Sequence, residues 1–313
     1  MALKLLVVMN PSARDFEAEK RWPQMQPLLS AAADVTLLTT HPDNEQTVAQ
    51  VTAALQQERF DRVLAIGGDG TVHLTVSALM GAGLSTLPQF AVIPFGTANN
   101  VAKSLGVPAE DVPAQARLAV SSQLRGLDVG LLRATHAGVT RTHYWVNCVS
   151  VGMDADIVAA RARWRKLGKY LSYAAALAER SVEQHTMDVQ LTVDGRVLPL
   201  RVFNVVVMNV PLYAGALEMP GAQMDDGKLD VFLFNRNEYT SKVLTYVLKQ
   251  TDVLKVGVGD MLDFITENQR ELHGAVVKVR LAFPRAFQVD GEAMGEAEDL
   301  ELTTAGRLQA VGV

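Results

Sequence analysis

Gly67-Gly68-Asp69-Gly70-Thr71 lies between an apolar run, Arg62–Ile66, and a helix-like run, Thr71–Met80, that stops at Gly81. Three glycines in four residues let a backbone turn tightly and approach another group closely. Amides opening the following helix would favour a phosphate at that turn. The stretch lacks the Lys of G-x-x-x-x-G-K-[ST] and does not fit G-x-G-x-x-G. Asp69, at its centre, would repel a bare phosphate, an objection that a divalent cation between them removes. The alternative is a β-hairpin, because Asp-Gly between apolar residues is the standard hairpin signal. Asp225-Asp-Gly-Lys228 and Asp290-Gly-Glu292 hold further carboxylates, and on their own both read as turns.

The flanking elements decide between these readings of the glycine loop. Leu3–Met9 predicts a buried strand, broken at Asn10-Pro11-Ser12, and Arg14–Leu29 a helix disturbed by Pro23. Val35–Thr39 is a second strand, and Thr47–Gln57 has apolar residues at helical spacing. Val63–Ile66 and Phe90–Pro94 are the third and fourth strands. Phe95-Gly-Thr-Ala-Asn-Asn100 follows, then a short helix to Leu105 with Gly106 as its stop. Alternating strand and helix imply a parallel sheet with helices on both faces, and ligands of such sheets bind at the carboxyl ends of the strands. Asn10, Thr39, the glycine loop and Gly96-Thr97 all fall there, which favours the phosphate reading.

After about Arg125 the pattern changes. Val129–Leu132, Tyr144–Val151, Met187–Val193, Val197–Met208, Asp230–Phe234, Val276–Ala282 and Phe287–Val289 read as strands, with Asp194-Gly195 as a hairpin turn. Strand after strand with short turns suggests an antiparallel sandwich or barrel-like second domain. Helical runs interrupt it at Asp156–Glu183 and Thr240–Leu254, where Val243, Leu244, Val247 and Leu248 form an apolar stripe expected in the core. The expected division is 1–125 for the α/β domain and 126–302 for the sandwich. A tail, about 303–313, would pack back on the first domain.

The chain has 313 residues, 49% hydrophobic and 20% charged, as in an ordinary globular protein. A net charge of -5 argues against a nucleic-acid partner. The one cysteine, Cys148, cannot form an internal disulfide and suits a reducing cytoplasm. No stretch reads as a signal peptide or a membrane span. Membrane contact is therefore expected to be peripheral. Arg161–Tyr170 concentrates five basic residues and two aromatics. It reads either as a solvated helix face or as a patch for anionic headgroups. The histidines show no zinc-ligand spacing.

Taken in order, Gly67-Gly-Asp-Gly-Thr71, Pro94-Phe-Gly-Thr-Ala-Asn-Asn100, Val151-Gly-Met-Asp-Ala-Asp156, Asp225-Asp-Gly-Lys-Leu-Asp230 and Asp290-Gly-Glu292 resemble the diacylglycerol kinase catalytic-domain family. That family includes bacterial diacylglycerol kinases, YegS-like lipid kinases and sphingosine kinases. The resemblance runs from Asn10 to about Leu302. It implies an ATP-binding α/β domain, a β-sandwich contributing the lipid site, an active site in the cleft between them, and phosphoryl transfer to a diacylglycerol-like hydroxyl in phospholipid metabolism. By the same resemblance, Asn10, Ser12, Thr39, Gly67, Gly68, Asp69, Gly70, Thr71, Gly96 and Thr97 surround the nucleotide. Asp69 would meet its Mg²⁺. Glu292 is the implied proton acceptor, with Asp290 beside it. Asp226 and the carbonyls of Gln223 and Lys228 would hold a structural Mg²⁺.

Three positions depart from the family pattern: His73-Leu74 replaces Asn-Glu, Asn99-Asn100 replaces Asn-Asp, and no glycine follows Ser12-Ala13. Two alternatives stand beside the lipid kinase. One is a kinase of a soluble substrate such as NAD. The other is a nucleotide-binding regulatory member with little catalysis.

Overall fold

A computed structural model describes residues 2–161, 163, 164, 175, 176, 179, 186–213, 215, 217–219, 221–234 and 271–313. Two units divide the chain. The first is Met1–Val129 with Tyr144–Val146 and Ala305–Val313; the second is Gly130–His143 with Asn147–Thr304.

In the first unit, β1 (Leu3–Met9), α1 (Ala13–Ser30), β2 (Ala33–Thr39), α2 (Asn44–Gln57), β3 (Arg62–Gly67), α3 (Asp69–Gly81) and β4 (Gln89–Pro94) alternate. They are followed by α4 (Asn100–Ser104) and α5 (Val112–Ala119). The sheet order is β2-β1-β3-β4, all parallel. The chain's last strand joins it beside β4, with Ala310 opposite Phe90. Leu5 to Val8 and Val63 to Ile66 are fully buried, as a strand covered on both faces requires. One face, with Leu5, Val7, Leu64, Ile66 and Ile93, packs on Met25 and Leu29 of α1 and Val112 and Ala116 of α5. Asp43 caps α2 by accepting from the Glu45 amide at 2.9 Å, a bond that holds its carboxyl below the usual range.

α1 departs from expectation. Its irregularity lies at Arg14, Asp15 and Phe16, which are left-handed, and not at Pro23. Pro23 and Pro27 are both exposed, so the hydrogen bonds they delete are lost on the solvent side, where water can replace them. Helix α5 was not expected. Its signal is the Asp111 cap, which accepts from Ala114 at 2.9 Å, followed by a proline in the first turn.

The second unit takes up β5 (Leu124–His136) from Gly130 and continues with β6 (Val139–Trp145), β7 (Cys148–Gly152), α6 (Met153–Arg161), β8 (Met187–Val193), β9 (Arg196–Val202) and β10 (Asn204–Met208). Two-residue strands β11 (Leu212–Tyr213) and β12 (Leu217–Glu218) pair with each other, and β13 (Leu229–Phe234), β14 (Glu271–Gly274), β15 (Val276–Val289) and β16 (Glu292–Val311), the last as far as Thr304, complete it. Antiparallel pairs run in the order β14-β13-β10-β7-β15-β16, while β8 and β9 form a branch of the same sheet. β15 belongs to both. Its residues 277–281 pair with β8 and 287–289 with β7, across a bulge between Arg280 and Arg285. Strands turn sandwich corners through such bulges.

Ala137-Gly138, Asp194-Gly195 and Asp290-Gly291 each place two consecutive residues at positive φ between paired strands, the geometry of a two-residue type I′ hairpin. Asp194-Gly195 was expected. Tyr144–Val151 and Val197–Met208, read as single strands, are each two, broken at Val146-Asn147 and at Phe203. The first break has a physical cause: the Asn147 and Cys148 amides turn to the Asp290 side chain. The Val276–Ala282 and Phe287–Val289 runs are one bulged strand. The Thr240–Leu254 helix with its Val243–Leu248 stripe, and most of the run to Glu183, lie outside the described residues.

Candidate active site

The first unit brings Thr39, Asn10, Gly67-Gly68 and Gly96-Thr97 to the carboxyl ends of four neighbouring parallel strands. Gly67–Thr71 is a strand-to-helix turn, so the hairpin alternative fails. Gly68 is the helix cap and Asp69 the first residue of α3, one place later than a capping Asp would stand. The loop needs glycine for closeness, not for left-handed backbone. A Cβ on Gly68 would lie 2.9 Å from the Gly96 Cα, and one on Gly67 would lie 2.7 Å from the Thr71 Cβ. Both glycine-bearing loops therefore touch backbone to backbone, and Phe95 N–H donates to Gly67 O at 2.7 Å. Such a surface presents amides instead of side chains at the start of a 13-residue helix, where an anion is favoured.

Asn99, the N-cap residue of α4, turns its side chain to the second glycine loop. Its Oδ1 accepts from Gly96 N–H at 2.8 Å and its Nδ2 donates to Gly96 O at 3.0 Å. This fastens the Gly96 peptide on both sides. The left-handed Asn99 backbone (φ 51°) is one Asn tolerates better than most residues. Thr97 and Thr39 are exposed, whereas Thr71 is buried against Gly67. Asn10 and Ser12 satisfy each other: Asn10 Oδ1 accepts from Ser12 N at 3.1 Å and from Ser12 Oγ at 2.9 Å, an Asx turn. His73 is buried in α3.

In the second unit, the two carboxylates of the Asp290–Glu292 turn have different surroundings. Asp290 is 4% exposed, and its Oδ1 accepts from Asn147 N at 2.8 Å and Cys148 N at 3.0 Å. Its own N–H donates to Cys148 O at 2.8 Å. Glu292, two residues on, is exposed. Beneath the turn lies a polar cluster that the sequence reading missed. Gln288 Oε1 accepts from Gly291 N–H at 2.7 Å, and Gln288 Nε2 donates to Ser150 Oγ at 2.8 Å and Asp154 Oδ2 at 3.1 Å. Ser150 Oγ also bonds Asp154 Oδ2. Gln288 and Ser150 are direct cross-strand partners.

The Asp226 loop is exposed, and Asp226 Oδ1 accepts from Lys228 N–H at 2.9 Å. Gln223 N–H reaches Asp230 Oδ2 at 3.4 Å, which leaves the Gln223 carbonyl outside that bond. An oxygen-only donor set of Asp226 Oδ2 with the Gln223 and Lys228 carbonyls fits a hard cation such as Mg²⁺. Of the basic stretch, the side chains of Arg163 and Trp164 are described, and both bind Glu179, at 2.8 Å and 2.7 Å. Its remaining side chains lie outside the described residues. No helix among the described residues is long and apolar enough to cross a membrane.

Comparison with known proteins matches both units. Residues 4–132 match the diacylglycerol kinase catalytic domain, and residues 147–309 match the YegS C-terminal NAD kinase beta sandwich-like domain. A diacylglycerol kinase of Bacillus subtilis is 24% identical over 294 residues, 92% of this chain and 89% of the relative. One from Mycobacterium tuberculosis is 29% identical over 197 residues, 60% of this chain and 59% of the relative. Among solved structures, a diacylglycerol kinase from Bacillus anthracis aligns with a TM-score of 0.67 at 20% identity, covering 99% of this chain and 97% of the other. Yeast NADH kinase aligns at 0.55 and 11% identity, covering 100% and 84%, and so shares the fold. The chain thus belongs to the diacylglycerol kinase catalytic-domain family, with an NAD kinase-like α/β domain and a YegS-type β-sandwich.

Proposed function

We propose that the protein is an ATP-dependent lipid kinase that transfers the γ-phosphate to the hydroxyl of diacylglycerol or a related lipid. The observation that carries the reading is the division of labour in the Asp290–Glu292 turn. One carboxylate is consumed in fixing the turn, and the other is left exposed at its end. The exposed Glu292 carboxylate orients the acceptor hydroxyl and takes its proton as the new O–P bond forms. Asp290 is a positioning residue.

In the α/β unit the Gly67–Thr71 amides hold the phosphates, with Asn99 keeping Gly96 in place beside them. Thr97 and Thr39 offer exposed hydroxyls to the nucleotide. Asn10 and Ser12 contribute through the shape of their turn, since their side chains bond each other. Mg²⁺, when bound with the nucleotide at Asp69, neutralises charge on the transferring phosphoryl group. The Asp226 loop is a candidate for a second, structural Mg²⁺. A lipid acceptor implies work at a bilayer surface through peripheral contact.

The test is a panel of acceptors with γ-labelled ATP and Mg²⁺: diacylglycerol, monoacylglycerol, sphingoid bases and other lipid alcohols in mixed micelles, with NAD as the soluble competitor. Label transfer to a lipid alcohol supports the reading. Transfer to NAD alone replaces it with the soluble-substrate kinase. Tight ATP binding with no transfer to any acceptor replaces it with a regulatory member.

A further inference from the structure

Gln288 is 1% exposed and sits where a core residue of β15 would ordinarily be apolar. A buried amide is costly unless all its groups are satisfied. Here they are satisfied in one orientation only. Its Oε1 accepts from the Gly291 N–H, and its Nε2 donates to the Ser150 hydroxyl and the Asp154 carboxylate, with the Cys148 sulfur at 3.4 Å on the same side. Flipping the amide would set oxygen against the Asp154 carboxylate and N–H₂ against the Gly291 N–H, so the hydrogen-bond network assigns the orientation.

Two sites that are far apart in the chain meet on this one side chain. At one end is the Asp290-Gly291 turn, which leads into Glu292. At the other is Asp154, in the first turn of α6, whose own N–H donates to Asn204 Oδ1 at 3.3 Å. A cross-strand hydrophobic pair would stabilise β15 against β7 as well without linking them. We propose that Gln288 is a positioning residue for the phosphoryl acceptor site: it sets the Asp290–Glu292 turn and the Asp154 carboxylate in fixed relation, so that Glu292 is presented in one geometry. Effects of this kind act on rate, because small displacements of a catalytic group cost large factors in turnover. The inference rests on the kinase reading for its kinetic consequence and on geometry alone for the link.

The experiment uses the full chain with Gln288→Met, which keeps volume and removes both ends of the link, and Gln288→Glu, which keeps an acceptor for Gly291 and loses the donors. Three quantities are read against wild type: amide hydrogen exchange at Gly291 and Asp290, kcat and KM for ATP, and kcat relative to wild type from pH 6 to pH 9. In Gln288→Met the Gly291 amide exchanges at least about tenfold faster, while the Asp290 amide, bonded to Cys148 O, keeps its protection. kcat falls about tenfold or more and KM for ATP stays within about twofold. In Gln288→Glu, relative kcat rises as pH falls, because two adjacent carboxylates share a proton more readily in acid and the shared proton restores a donor to Asp154. Unchanged Gly291 exchange overturns the link. A kcat within twofold of wild type in Gln288→Met, or a relative kcat of Gln288→Glu that is flat with pH, overturns the positioning role. If wild type transfers no phosphate to any acceptor, the kinase reading falls, and the exchange measurement still decides the link.

Discussion

Asp69-Gly70 and Asp290-Gly291 are the same dipeptide after an apolar strand, and they make different turns for different reasons. Around Asp69 the glycines are needed because other atoms crowd them: Gly68 and Gly96 touch through their backbones, and Thr71 packs over Gly67. At Asp290 a Cβ on Gly291 would meet nothing within 4 Å, and glycine is needed for its left-handed backbone, φ 91°. The first turn is open to a ligand because side chains are missing. The second is rigid because two side chains, Asp290 and Gln288, reach across to hold it. Identical local sequence thus makes a strand-to-helix turn free of large side chains in one unit and a hairpin held by side chains in the other. What separates them is non-local contact.

Substitutions that respect one cause and offend the other test this contrast. The largest effect on stability is expected from Asp290→Ala. It strands the Asn147 and Cys148 amides at a buried site, at about 1–3 kcal/mol for each unmade bond. Asp290→Asn keeps the accepting oxygen and should recover most of that loss. Denaturant titration of the pair measures both. Next comes Gly96→Ala, whose methyl would fall on the Gly68 Cα. Forcing the loops apart should cost about 1–3 kcal/mol and weaken ATP binding by roughly tenfold or more, read by thermal unfolding and calorimetry. Gly291→Ala should be smaller, about 1–2 kcal/mol from backbone strain alone, with a fall in kcat and none in ATP affinity. Gly195→Ala, in the equivalent hairpin away from the turn, should match its stability cost and leave kcat unchanged.

The same difference explains what could be read in advance. Strands β1, β3 and β4 were legible because a strand buried on both faces is an unbroken apolar run, as Val63–Ile66 is. β6 was not, since Val139–Thr142 are all exposed and carry no alternation. Nor was β16, which begins with the exposed, acid-rich stretch from Glu292 to Glu296. The break in Tyr144–Val151 depends on a side chain 142 residues away, beyond the reach of any local pattern. In the site, the glycine loop stood out by residue type and spacing, whereas the Asp290 and Glu292 carboxylates read on their own as a turn and took their implied roles from the family resemblance. Gln288 did not stand out, because its meaning lies in Ser150, 138 residues away, and Asp154, 134 residues away. Asn99 showed its position but not its use, since capping and clamping of Gly96 begin from the same residue.

Glu292→Gln tests the division of the Asp290–Glu292 turn most directly, because it removes the proposed proton acceptor and leaves both the glycine loops and the Asp290 anchor untouched. With labelled ATP and a lipid acceptor, kcat should fall by about 10²–10⁴-fold, while calorimetric ATP affinity and the unfolding midpoint match wild type. Turnover within a few-fold of wild type would contradict the account.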